Sequence, residues 1–135
     1  MWTLTKTFEF DAAHRLPHHG GKCSGLHGHT WKVDLRVRGS RLDVDGSSSN
    51  MVVDFHDLSR VIKEVSEKYL DHKFLNESLG EESPTSEFLA RWLFTQFKTG
   101  FPISIPWRFG RARQVAASIE SEDLQDQRVL SVVAG

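Results

Sequence analysis

Near the amino terminus the apolar side chains Trp2, Leu4, Phe8 and Phe10 share one parity, with Thr3, Thr5, Thr7 and Glu9 on the other. A repeat of two sends one set toward a core and the other toward water, so this stretch predicts a strand with one buried face. The pattern returns at Trp31, Val33, Leu35 and Val37, which alternate with Lys32, Asp34, Arg36 and Arg38. Between the two strands runs HRLPHHGGKCSGLHGH. A connection of that length, holding apolar residues and histidines, points to function.

Beyond the turn-like DVDGSSSN and the short run MVVDF the spacing becomes helical. Leu58, Val61, Ile62, Val65 and Tyr69 fall on one helix face, with Asp54 placed as N-cap and the end near LDHKFLN. A second helix is expected with Ser83 as cap, Pro84 at its first position and Glu87 in its first turn, where the helix dipole favours an acid. Phe88, Leu89, Trp92, Leu93 and Phe97 form its apolar stripe. Strand signals resume in QVAASIE and RVLSVVA, while Pro102 and Pro106 make FPISIPWRFGRAR a loop or a sheet edge. The predicted order is β, β, α, α, β, β: an α+β chain in a single domain over residues 1–135, with no internal repeat.

Composition narrows the function. Lysine and arginine number 17 against 18 acids, and the basic residues are dispersed, so no nucleic-acid partner is expected. No run approaches the length of a membrane span and the first residues lack a signal-peptide core, so a soluble, cytoplasmic chain with no membrane partner is expected. One cysteine cannot form an internal disulfide. Any thiol chemistry belongs to Cys23.

His27 and His29 are two residues apart, so on an extended backbone both rings point to one face. His14 has the parity of Phe8 and Phe10, and two adjacent antiparallel strands would bring three imidazoles to one point. Three neutral histidines with one open position form the ligand set of a catalytic zinc. His18 and His19, beside Pro17 and Gly20, read as loop residues outside that set, and His56 reads as a residue of a helix's first turn. Cys23 leaves two possibilities. As a fourth ligand it would close a structural site; across a pocket from the metal it would be a base or nucleophile, with Lys22 and the dication favouring the thiolate. Asp71 and His72 form a second candidate, in which a carboxylate at a helix end orients an imidazole for proton transfer. Glu120 at the end of VAASIE, like Ser86 and Glu87, becomes functional only if a ligand presents an N–H pair to a carboxylate.

The segments FEFDAAHRLPHH, KCSGLHGH, MVVDFHDL, LDHKFLN and PTSEFLARW, in this order over residues 8–92, resemble the family of 6-pyruvoyltetrahydropterin and 6-carboxytetrahydropterin synthases. The resemblance implies a tunnelling fold: a four-stranded antiparallel sheet with two helices on one side, three subunits closing a barrel and two trimers stacking into a homohexamer. It further implies a zinc cofactor on His14, His27 and His29, with Cys23 as the proton-abstracting thiol rather than a permanent ligand. Asp71 and His72 match the acid–base pair, contributed from a neighbouring subunit, and Glu120, with Ser86 and Glu87, matches the pterin-binding positions. The three residues between Cys23 and His27 resemble the 6-carboxy enzymes of queuosine biosynthesis, implying conversion of 7,8-dihydroneopterin triphosphate to 6-carboxytetrahydropterin, acetaldehyde and triphosphate. The tail departs from the family pattern, since FPISIPWRFGRAR is longer and more basic than expected.

Overall fold

A computed structural model of the chain describes residues 2–39, 42–100, 107–108 and 128–129. Two long strands, β1 (Trp2–His14) and β2 (His27–Gly39), pair antiparallel along their whole length, from Trp2 opposite Gly39 to His14 opposite His27. The alternation in sequence becomes two faces. Phe10, Ala12, Trp31, Val33, Leu35 and Val37 are buried on one, while Thr7, Glu9, Asp11, Thr30 and Lys32 lie exposed on the other. Because the period is two, a register slip of one residue would turn every one of these side chains inside out.

Against the apolar face pack α1 (Phe55–Val65) and α3 (Ser86–Gly100). Asp54 caps α1 as its position predicts, accepting the His56 N–H at 2.8 Å, and Leu58, Val61 and Ile62 are buried. Leu89, Ala90, Leu93 and Phe97 supply the α3 side of the core. Leu35, Leu58, Leu70, Leu75, Leu89 and Leu93 are all fully buried, each stabilising the fold by about 1.5–3 kcal/mol relative to an exposed side chain. Gly39 closes the strand against Val52: a Cβ there would sit 2.6 Å from Val52 Cγ1, so only glycine fits without displacement.

Three details differ from the pattern-based expectation. The α3 helix starts at Ser86, with the Thr85 hydroxyl accepting the Phe88 N–H at 3.2 Å, not at Ser83 and Pro84. After Val65 the helix continues as a widened turn, Ser66–Leu70, closed by Asp71 N–H to the Ser66 carbonyl at 2.8 Å. LDHKFLN, expected only to end the first helix, also forms a two-residue strand, β3 (Lys73–Phe74), and a single turn, α2 (Leu75–Ser78). The β3 strand pairs in parallel with Ala12 and Ala13 of β1, giving a three-stranded order β2-β1-β3. Such short pieces carry too few residues for any period to appear.

Among the described residues the sheet therefore has two long antiparallel strands and one short parallel one, and the expected four-stranded antiparallel sheet is not completed. The predicted strand QVAASIE lies outside the described residues. Within the other tail segments, β4 (Trp107–Arg108) pairs in parallel with β5 (Arg128–Val129).

Candidate active site

The hairpin register creates the site. His14 ends β1 directly opposite His27 at the start of β2, and His29 is opposite Ala12, so all three rings share the core-side face. Ring centroids are 4.5 Å apart for His14 and His27, 5.2 Å for His14 and His29, and 4.9 Å for His27 and His29. One nitrogen from each lies within 4.8 Å of the others. Trp31 forms the floor, meeting His14 and His29 edge-on at 5.0 and 5.3 Å.

Backbone carbonyls decide which nitrogen of each ring is available. His14 Nδ1 donates to the Pro84 carbonyl at 2.9 Å, and His27 Nδ1 donates to the Gly25 carbonyl at 2.8 Å. With Nδ1 protonated, Nε2 carries the lone pair. The Nε2 atoms of His14 and His27 are both buried with no hydrogen-bond partner among the described residues, a costly arrangement unless a further group satisfies them. Burial pushes the His14 ring below its ordinary pKa; the Pro84 bond opposes this and the two neighbouring rings add to it. His29 is lowered by burial and then by His27. Neutral rings with lone pairs converging on one point fit a divalent ion held by three nitrogens.

Cys23 sits in the single turn Lys22–Ser24, anchored by Leu16 N–H to the Cys23 carbonyl at 2.8 Å. Its thiol is free and partly exposed. It lines a cavity of about 460 Å³ together with the three histidines, His19, Ser86 and Glu87. Among the described residues only the three histidines bring donor atoms close enough to share an ion, which speaks against the four-ligand clamp. Ser86 and Glu87 stand in the first turn of α3 at the cavity wall.

Asp71 and His72 are elsewhere. His72 Nδ1 lies 3.0 Å from Asp71 Oδ2, and Asp71 Oδ1 accepts the Asp11 N–H at 3.1 Å. That backbone bond, followed by the one from His72, holds the Asp71 carboxyl below the usual carboxylate range. The pair is pinned to the sheet edge by His72 N–H to the Asp11 carbonyl at 2.6 Å, with His72 in the left-handed region at φ 56°, a conformation uncommon outside glycine. His72 lines a separate open hollow of about 630 Å³ with Asp11, Thr30 and Lys73. His29 borders both spaces. Glu120 lies outside the described residues.

Periodicity could not reveal the carbonyls of Pro84 and Gly25 that set the two tautomers, because backbone acceptors have no sequence signature. Asn76 was equally invisible. Its side chain bonds to both Arg15 and Glu82, yet nothing in LDHKFLN marks that asparagine apart from an ordinary turn residue.

Residues 3–121 match the family model described as 6-pyruvoyl tetrahydropterin synthase. The chain is similar to the 6-carboxy-5,6,7,8-tetrahydropterin synthase of Synechocystis sp., 47% identical over 98 residues, covering 73% of this chain and 76% of that one. It is 33% identical over 125 residues to the protein of the same name from Haemophilus influenzae, covering 78% and 88%. Among solved structures it resembles the Caenorhabditis elegans 6-pyruvoyl tetrahydropterin synthase, with a TM-score of 0.64 and 27% identity, covering 76% of this chain and 80% of that chain.

Proposed function

Since the chain belongs to the 6-pyruvoyl tetrahydropterin synthase family, we propose that it is a zinc-dependent carbon–carbon lyase. It converts 7,8-dihydroneopterin triphosphate to 6-carboxy-5,6,7,8-tetrahydropterin with release of acetaldehyde and triphosphate, in queuosine biosynthesis. One observation carries the metal requirement: two buried imidazole nitrogens, His14 Nε2 and His27 Nε2, have no partner among the described residues and lie beside a third ring, that of His29. When bound, zinc supplies Lewis acidity toward the oxygens of the pterin side chain.

The protein's own groups then divide the remaining work. The Cys23 thiolate, in the same cavity as the three rings, removes a carbon-bound proton from the substrate side chain. His72, with Nδ1 held by Asp71, keeps Nε2 free to move protons on and off the side-chain oxygens. Ser86 and Glu87 face the substrate from α3, and Glu120 anchors the pterin ring.

Within one chain the Cys23 cavity and the Asp71–His72 hollow are distinct. That separation supports an active site shared between subunits, in a homohexamer of two stacked trimers whose barrel is completed by the four-stranded tunnelling sheet. We place the protein in the cytoplasm, as a single domain over residues 1–135; no helix among the described residues is long and apolar enough to cross a membrane.

The test is product analysis of the zinc-loaded protein with dihydroneopterin triphosphate. Acetaldehyde appearing with the mass of 6-carboxytetrahydropterin is the expected result. Triphosphate without acetaldehyde would assign the 6-pyruvoyl reaction instead, and no turnover with bound zinc would leave a non-catalytic zinc- and pterin-binding relative.

A further inference from the structure

We infer that Asn76 is a positioning residue of the three-histidine centre, fixing the distance and tautomer of His14 through two backbone segments that it clamps together. The inference rests on the proposed metal site at His14, His27 and His29.

The clamp uses the whole carboxamide. Oδ1 accepts the Arg15 N–H at 3.0 Å, while Nδ2 donates to the Arg15 carbonyl and to the Glu82 carbonyl, both at 2.9 Å. One acceptor and two donors meet one N–H and two carbonyls, so only one orientation of the amide satisfies all three. The two bonds to Arg15 act as one more rung beside β1. Lys73 and Phe74 pair with Ala12 and Ala13, and the Asn76 side chain takes up the N–H and carbonyl immediately after His14, where the ladder would otherwise end.

The third bond reaches the segment that orients the ligand. Glu82 is two residues before Pro84, whose carbonyl accepts from His14 Nδ1 at 2.9 Å. Asn76 thus holds both ends of that contact: the backbone next to His14, and the loop presenting its acceptor. The Asn76 carbonyl also accepts the Glu81 N–H at 3.1 Å, tying the same loop to α2. His18 bridges to Glu82 at 2.8 Å, but both side chains are largely exposed and this contact cannot replace a clamp. Loss of Asn76 frees the Pro84 carbonyl to drift from Nδ1, and His14 is then no longer locked with its Nε2 lone pair toward the other rings.

Asn76→Asp provides the test, because it retains size and the acceptor for Arg15 N–H but sets a second oxygen against two carbonyls. Zinc affinity is measured by chelator competition, with the visible spectrum of the cobalt-loaded protein as a second readout. The core variant Val61→Ala, in α1, shows what general destabilisation alone does. Expected for Asn76→Asp is about a tenfold loss of zinc affinity, the low end of the range for outer-shell partners, with shifted cobalt bands; Val61→Ala keeps wild-type affinity and bands. Wild-type affinity and bands in Asn76→Asp, or an equal loss in Val61→Ala, overturns the role of Asn76. If the wild-type chain takes up no zinc, the metal site itself fails and this inference with it.

Discussion

The three-histidine centre and the Asp71–His72 pair are both imidazole sites, but they are built oppositely. The first stands on the core face of a long hairpin, with His14 buried at 4% exposure and two rings oriented by carbonyls. The second stands at the sheet edge beyond a widened helical turn, on left-handed backbone, with the His72 side chain 79% exposed. Burial makes the Nε2 lone pairs of His14 and His27 unavailable to water and ready for an ion. Exposure leaves the second with an ordered Asp–His contact and a ring open to solvent. The three histidines that could share an ion thus all come from one hairpin, whereas the proposed role of the exposed pair calls on a neighbouring subunit.

The largest effects should come from removing one member of each function in the first region. His27→Ala is expected to abolish tight zinc binding, since two nitrogens and water do not replace three. Cys23→Ala should keep one zinc per chain while turnover falls by about a thousandfold, within the range for a lost acid–base group. Metal analysis after dialysis and steady-state assays separate the two. Joint loss of zinc in Cys23→Ala would restore the four-ligand clamp and erase the distinction between holding the ion and doing the chemistry.

A smaller effect is expected in the second region. Asp71→Asn keeps the shape of the pair but removes the charge that orients His72, and turnover should drop by about a hundredfold with zinc content unchanged. Complementation sharpens the comparison. Subunits carrying Cys23→Ala and subunits carrying Asp71→Asn, each nearly inactive, are mixed and reassembled. Some interfaces then join an intact thiol cavity to an intact pair, and activity returns in part; absence of any recovery would put both groups to work within one chain.

What the sequence discloses follows the same division. Strict alternation in TFEF and TWKVDLRV set the faces of β1 and β2, and with them the convergence of His14, His27 and His29. A period of two reports burial directly, so a ligand set lying on the buried face is legible. The start of α3 was misplaced because Ser83 and Pro84 have the composition of a helix start, while the Pro84 carbonyl is engaged by a histidine seventy positions away in the chain. Tertiary demand of that kind has no local signature. Neither β3 nor α2 could be found, since two and four residues cannot show a period, and Asn76 does its work through backbone atoms of residues that look unremarkable.

The least effect, and the finest discrimination between the regions, lies in pH. In the metal-free chain His14 and His29 titrate below their ordinary 6.5, so near that pH the unfolded chain binds more protons than the folded one. Stability must then rise with pH through this window: it is complete above about 6.5 and is lost as pH falls from there toward the folded-state values. Asp71 is also lowered, from 3.8; its contribution is present above that value and is lost only as pH falls below it. Urea unfolding of the metal-free protein between about pH 8 and about pH 5 therefore reports His14 and His29 with Asp71 silent. The decline should shrink in His14→Gln and stay unchanged in Asp71→Asn. With zinc bound it should move to lower pH, because protons must then displace the ion from the rings. A flat profile in the metal-free chain would mean that the rings are not held neutral by burial, and the contrast between a closed centre and an open pair would lose its physical basis.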